Sequence, residues 1–171
     1  DWRKIAADGH ELGNHTLYHP CDATGEGMSW VKPEYDLSKY SLLKIQDEIK
    51  VCNNYLKAID GKTKRTFAFT CGHKKVAEGE FIQTLSNEFI AARTVRGEMH
   101  PFDEQKLMDM DCYSMEGKTG EQMIELVKQA QKSGKLLVFL FYGVGGEHSL
   151  NVSKEAHSQL VHYLKENVKD I

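Results

Sequence analysis

Apolar residues recur at Leu42, Ile45, Ile49, Cys52, Leu56 and Ile59, in steps of 3, 4, 3, 4, 3. That spacing lays one stripe down the side of a helix, and Gly61 stands just past it as a stop. A shorter helix opens the chain, with Trp2, Ile5 and Ala6 on one face and Gly9 as its stop. "HELGNH" (10–15) reads as a short strand, leading into a loop rich in Gly, Pro and Asp to about Asp36. "RTFAFT" (65–70) and "EFIAAR" (88–93) read as strands, with "EFIQTLSN" (80–87) a short helix between them. "KLMDMDCYSM" (106–115) reads as extended without excluding other conformations. Thr119 with Gln122 forms a capping box that opens a helix to Ser133, stopped by Gly134. "KLLVFLFY" (135–142) is the pattern of a buried strand, and Ser153 caps a last helix to about Asn167.

Helices and apolar strands alternate along the whole chain, which predicts an α/β domain built on a largely parallel sheet, a single domain over residues 1–171. Sheets of that kind place chemistry in loops at the carboxyl ends of their strands. His15, Thr70–His73 and Tyr142–His148 all fall in such loops.

Composition narrows the partners. Of 171 residues 40% are hydrophobic and 27% charged, ordinary for a globular domain. Twenty-two basic against 25 acidic residues leave a net charge of −3, and no basic run exceeds Lys62–Arg65. The concentrated positive footprint of a nucleic-acid binder is therefore missing. The longest apolar run, Leu136–Tyr142, suits a strand and is far short of a membrane span. Cys21, Cys52, Cys71 and Cys112 form no C-x-x-C pair, which argues against a structural zinc site, and a domain of this size needs no disulfide. Free thiols are the expectation, with Cys52 on the apolar helix face.

"GNHTLYHP" (13–20) puts His15 and His19 four residues apart. In a chain with eight histidines spacing alone is weak evidence. Gly13, Asn14, Thr16 and Pro20 favour a strand end followed by one loop turn, a geometry that can bring both imidazoles to one borderline cation such as zinc. A hydrogen-bonded pair of turn histidines fits the pattern equally well.

The surrounding residues resemble those of the polysaccharide deacetylase family, hydrolases that remove acetyl groups from polymeric or oligomeric sugars. The family's H-[ST]-x-x-H-P motif matches His15, Thr16, His19 and Pro20 without a gap, and the lead-in "DWRKIAADGHELGNHT" is equally typical. "TFAFTCG" (66–72) sits where the family has an R-P-P-Y-G-like loop, and "LLVFLFYGVGGEHS" where it has an L-x-H strand, so the resemblance runs over nearly the whole chain. It implies a distorted (β/α) barrel of fewer than eight strands. It also implies a divalent metal, commonly zinc, held by two His and one Asp, a second Asp as base, a backbone N–H as oxyanion donor and a His as acid. Transferred to this chain, His15 and His19 are the metal ligands, Thr16 steadies their loop and the Cys71 N–H is the oxyanion donor. The substrate implied is an acetylated poly- or oligosaccharide, and the location periplasmic, secreted or cell-surface.

Four departures bear on activity. The family's T-F-D-D segment, source of the base and the third ligand, would precede the opening helix and is absent from this chain. The chain begins at Asp1 rather than Met, so truncation or processing from a longer protein is the expectation, with the first strand and helix of the barrel lacking. Ala68 stands where the loop motif has Arg, Thr70 where it has its second Pro, and Tyr142 where the acid His belongs. A phenol titrates near ~10 and yields its proton reluctantly at neutral pH. His148 or His73 could substitute for the acid. The choice that follows is an impaired metal-dependent carbohydrate deacetylase or, alternatively, a non-catalytic descendant that binds glycan or a partner through the same cleft. His157 and His162 read as solvated helix positions, Asp109 and Asp111 as a solvated strand, and Tyr18 and Trp30 as loop aromatics packing on their own domain.

Overall fold

A computed structural model describes residues 1–81, 87–146 and 148–171. The "EFIQTLSN" helix expectation falls largely on 82–86, outside the described residues. The chain divides into two compact units: Asp1–Thr94 with Lys106–Met110, and Val95–Gln105 with Asp111–Ile171.

In the first unit α1 spans Trp2–Ala7, capped by the Asp1 carboxylate, which accepts from the Arg3 N–H at 3.0 Å. Its expected apolar face is not buried: Trp2 and Ile5 are both exposed. The long stripe becomes α2, Leu42–Asp60, with Ser41 as N-cap and Gly61 in the left-handed region at φ 72° as C-cap. Ile45, Ile49 and Cys52 are buried from it, and so is Glu48, a carboxylate that the apolar periodicity did not foretell. Strand β1 is Arg65–Ala68, β2 Lys75–Val76, β3 Gly79–Glu80 and β4 Phe89–Arg93.

β1 and β4 pair in parallel, and isolated parallel bridges extend the set on both sides, Asn14 to Phe67 and Arg93 to Met110. The order is therefore Asn14, β1, β4, Met110, all running the same way. The strand expected over 10–15 is reduced to the single Asn14 bridge. Ile45 and Ile49 of α2, with Leu42 packed against them, join Phe67, Phe69, Phe81, Phe89 and Ala92 in one apolar cluster. Burial of such side chains contributes roughly 1.5–3 kcal/mol each. The Arg65 guanidinium is buried in an ion pair with Asp60 at 3.1 Å, with the Lys62 carbonyl as a further acceptor at 2.7 Å.

The second unit holds β5 (His100–Pro101), β6 (Tyr113–Ser114), β7 (Lys135–Leu136) and β8 (Phe139–Leu140). It also holds α3, Gly120–Ser133, and α4, Lys154–Glu166. The Thr119–Gln122 capping box forms as expected, and Gly134 closes α3 at φ 64°. Met123 and Val127 of α3 and Ala156 and Leu160 of α4 are buried together with Met115 and Val152 in one apolar cluster.

Two expectations are corrected here. "KLLVFLFY" is not one buried strand but two short ones, β7 pairing antiparallel with β5 and β8 parallel with β6, and within it only Leu140 is buried. The sheet is not one largely parallel layer either. Among the described residues the strands form four two-stranded sheets, two parallel and two antiparallel, and no closed barrel. Mixed α/β content stands. Uniform apolar composition says a segment is buried but not which partner it pairs with, and pairing is what decides sheet continuity.

Candidate metal centre

The centre is built at the carboxyl edge of the parallel set in the first unit. Gly13 passes so close to β1 that a Cβ there would lie 3.1 Å from Thr66 Oγ1, which is why a residue without a side chain precedes the site. Asn14 then anchors the strand end. Its backbone bonds Thr66 and Ala68, while its side-chain amide donates to the Ile49 carbonyl at 3.0 Å and to Asn53 Oδ1 at 2.7 Å.

The turn that carries the histidines is strained. Thr16 at φ 63° and His19 at φ 53° are both in the left-handed region, a conformation that costs roughly 1–3 kcal/mol for residues with a β-carbon. Three groups hold it. Asn14 Oδ1 accepts from the Thr16 N–H at 2.8 Å, and Thr16 Oγ1 accepts from the His19 N–H at 3.1 Å. The buried Glu48 accepts from the Leu17 and Tyr18 N–H groups at 3.1 and 3.0 Å.

His15 and His19 meet edge to face with ring centroids 4.8 Å apart. The His15 Nδ1 lies 2.8 Å from the Ala68 carbonyl. A carbonyl only accepts, so Nδ1 carries the hydrogen and the neutral ring keeps its lone pair on Nε2. Burial pushes the His15 pKa below its ordinary value against the opposing pull of the Ala68 carbonyl, and the nearby His19 and Arg93 lower it further. The ring is thus biased to the neutral form a metal requires.

Cys21 and Cys71 are joined by a disulfide, Cα to Cα 5.9 Å, which corrects the expectation of four free thiols. Fifty residues of sequence separate the two, so only the convergence of the loops after Asn14 and after β1 brings them together. Cys52 and Cys112 are buried and take part in no disulfide among the described residues, as expected for Cys52. The disulfide adjoins the histidine pair, since Cys21 Sγ is 3.5 Å from His19 Nδ1. The ligand-type atoms of His19, Cys21 and Cys71 all lie within 4.8 Å of one another. The same loops are tied by His73 Nδ1, which accepts from the Asp22 N–H at 2.9 Å, and by the Thr70 hydroxyl, which donates to the Pro20 carbonyl. Tyr18 stacks on Tyr35 at 5.3 Å, the packing role expected of it, while Trp30 is exposed with its ring 6.4 Å from that of His19.

His15, His19 and Cys71 are therefore brought together. Tyr142 and His148 belong to the second unit, where Tyr142 is half exposed and His148 Nδ1 accepts from the Leu150 N–H at 3.0 Å. Asp109 and Asp111 are not a solvated pair. Asp109 is bonded to Lys74 at 3.0 Å, and the buried Asp111 bonds Arg96 Nε at 2.6 Å and His100 Nε2 at 2.7 Å. The His100–Asp111 dyad and the Glu48 clamp went unread in the sequence. Glu48 had a signal, an acid one position from Ile49 on an apolar stripe. The dyad had none, because its members are eleven residues apart in irregular chain.

Fold and site together define an α/β protein with an imidazole pair at the carboxyl edge of parallel strands. Residues 1–84 match the family model described as polysaccharide deacetylase. A search of the curated proteins and a search of the solved structures each returned no significant match. The matched segment contains the whole histidine and disulfide corner and ends before Tyr142 and His148. That match suggests carbohydrate deacetylase activity in general terms. Among the described residues no helix is long and apolar enough to cross a membrane.

Proposed function

We propose that the protein is a metal-dependent carbohydrate deacetylase in which His15 and His19 hold a divalent cation, zinc first among candidates. The observation that supports this most directly is the His15 Nδ1–Ala68 bond, because a metal-ligating histidine characteristically donates its other ring N–H to a carbonyl or carboxylate. The donor set fits the group: two imidazoles, one of them with its tautomer selected and its neutral form favoured. When bound, the cation would supply Lewis-acid polarisation of an acetyl carbonyl and activate water at neutral pH.

The chain's own residues have separate tasks. Asn14, Thr16 and Glu48 hold the turn so that the two rings converge. The backbone at Cys71, fixed by its disulfide, is the candidate oxyanion donor. By sequence position alone, Tyr142 is the residue proposed for the acid's role, with His148 as its substitute, and the weak acidity of a phenol would make such an enzyme a slow one. A distorted (β/α) barrel remains the architecture proposed from the family resemblance. The Cys21–Cys71 disulfide supports a periplasmic, secreted or cell-surface location, where such bonds persist.

Metal analysis of the purified protein beside His15→Ala and His19→Ala tests the reading. Zinc should be present in the wild type and strongly depleted in both variants, and equal content in all three would refute it. Retained metal with no release of acetate from any acetylated oligosaccharide, even in a protein extended at its front by the T-F-D-D segment, would favour the alternative, a non-catalytic glycan or partner binder.

A further inference from the structure

The two sulfurs beside His19 have a use besides covalent bonding. We infer that two-electron reduction of the Cys21–Cys71 disulfide turns this corner into a thiolate–imidazole zinc site made by His19, Cys21 and Cys71, so that the redox state of the pair selects between two modes of metal binding. The inference concerns the proposed metal corner and rests on that reading only through His19.

Geometry carries the argument. Around a tetrahedral zinc, with Zn–N roughly 2.0 Å and Zn–S roughly 2.3 Å, the nitrogen-to-sulfur edge is about 3.5 Å. His19 Nδ1 and Cys21 Sγ already stand 3.5 Å apart. All three ligand-type atoms lie within 4.8 Å of one another, the span that one ion can bridge. The remaining change is at the sulfurs, which must part to about 3.8 Å for two thiolates on one zinc. Rotation about the cysteine side chains supplies that separation, because the two Cα atoms are 5.9 Å apart and need not be drawn closer. The backbone is also held independently of the disulfide: Cys21 bonds Tyr35 and Leu37 through its N–H and carbonyl, and the Thr70–Gly72 turn is closed by the Gly72 and His73 N–H groups. Cleaving the bond therefore leaves the sulfurs in place rather than releasing two free loops.

Chemistry agrees. Imidazole with thiolates is among the strongest zinc donor sets, and two thiolates neutralise the ion where the described residues of this cluster offer no carboxylate. Access is one-sided. Cys21 is fully buried and Cys71 only partly, so an incoming thiolate reaches the Cys71 sulfur and Cys21 leaves as thiolate beside His19. A dithiol supplies the electrons: it forms a mixed disulfide with Cys71, then closes to its own cyclic disulfide and releases the second thiol. Zinc displaces the two thiol protons as it binds.

The opposing possibility is that the disulfide only clamps the histidine loop, in which case reduction loosens the site and weakens metal binding. Cobalt(II) distinguishes the two. The full chain is titrated with cobalt(II) in its oxidised form, and again after dithiol treatment and anaerobic gel filtration. A thiolate-to-cobalt charge-transfer band in the near ultraviolet is expected only in the reduced protein, together with zinc retention against a chelator at least about tenfold greater than in the oxidised form. The band should vanish in Cys21→Ser/Cys71→Ser and in His19→Ala. Absence of the band in the reduced wild type overturns the inference, folded or not by circular dichroism. So does a band that survives in the double serine variant, which would arise from Cys52 or Cys112. His15→Ala separates this result from the proposed function: it should remove metal from the oxidised protein yet leave the reduced protein's band.

Discussion

The His15 imidazole is locked to the Ala68 carbonyl, Nδ1 to oxygen at 2.8 Å. One bond selects the tautomer, aims Nε2 away from the strand and ties the first candidate ligand to the strand after which Cys71 follows.

Burial lowers the His15 pKa, so its titration should centre below 6.5. Between the depressed native value and 6.5 the unfolded chain holds a proton that native His15 does not. This contribution to stability is therefore complete above the unfolded value and is lost as pH falls towards the native one. An NMR titration of the ring proton in metal-free protein checks it, and a midpoint at or above 6.5 would contradict the burial argument.

Glu48 serves the same loop through two N–H groups at once. Glu48→Ala strands both and should cost about 1–3 kcal/mol in denaturant unfolding. Glu48→Gln keeps a carbonyl acceptor and should recover most of that loss. Zinc retention should follow the same order.

Asp60 and Arg65 form a pair whose side chains are each only 2% exposed. Removing one partner leaves the other charge buried, so Asp60→Ala should destabilise the fold by about 3–5 kcal/mol. The Arg65 hydrogen bond holds the Asp60 carboxyl below its ordinary 3.8. Its stabilisation is thus present above that value and lost as pH falls through the native pKa. Acid unfolding of wild type and variant, compared between pH 5 and 2, should converge at the acid end.

Cys52 is buried, and burial pushes its thiol up from the ordinary range. A thiol reagent should leave it unmodified in the native protein and react on denaturation. Mass mapping of rapid labelling at Cys52 in folded protein would place that helix face outside the core.

Tyr142 tests the acid assignment. General acid catalysis is typically worth ~10²–10⁴-fold, and imidazole suits neutral pH better than phenol. In a protein extended at its front by the family's T-F-D-D segment, Tyr142→His should raise turnover on an acetylated oligosaccharide, and His148→Ala should lower it if His148 is the substitute. An unchanged or lower rate in Tyr142→His would remove Tyr142 from the acid's place.

Local rules were legible where a few adjacent residues settle the outcome. The α2 stripe ended at Gly61, the Thr119–Gln122 box opened α3, and Ser153 capped α4, because caps and helical periodicity involve contacts within four residues. The histidine pair was equally visible, as a motif confined to six residues. What those residues touch was not. The Ala68 partner of His15 is 53 residues away, Glu48 is 31 from Leu17, and Cys71 is 50 from Cys21. Such pairs are created by the parallel placement of Asn14, β1 and β4 against α2, and no local pattern encodes a distance between chain segments. For the same reason "KLLVFLFY" announced its apolarity but not its division between β5 and β6. Chain-local chemistry therefore named the candidate ligands. The tertiary arrangement alone chose the tautomer of His15, clamped the strained turn and set two sulfurs beside His19.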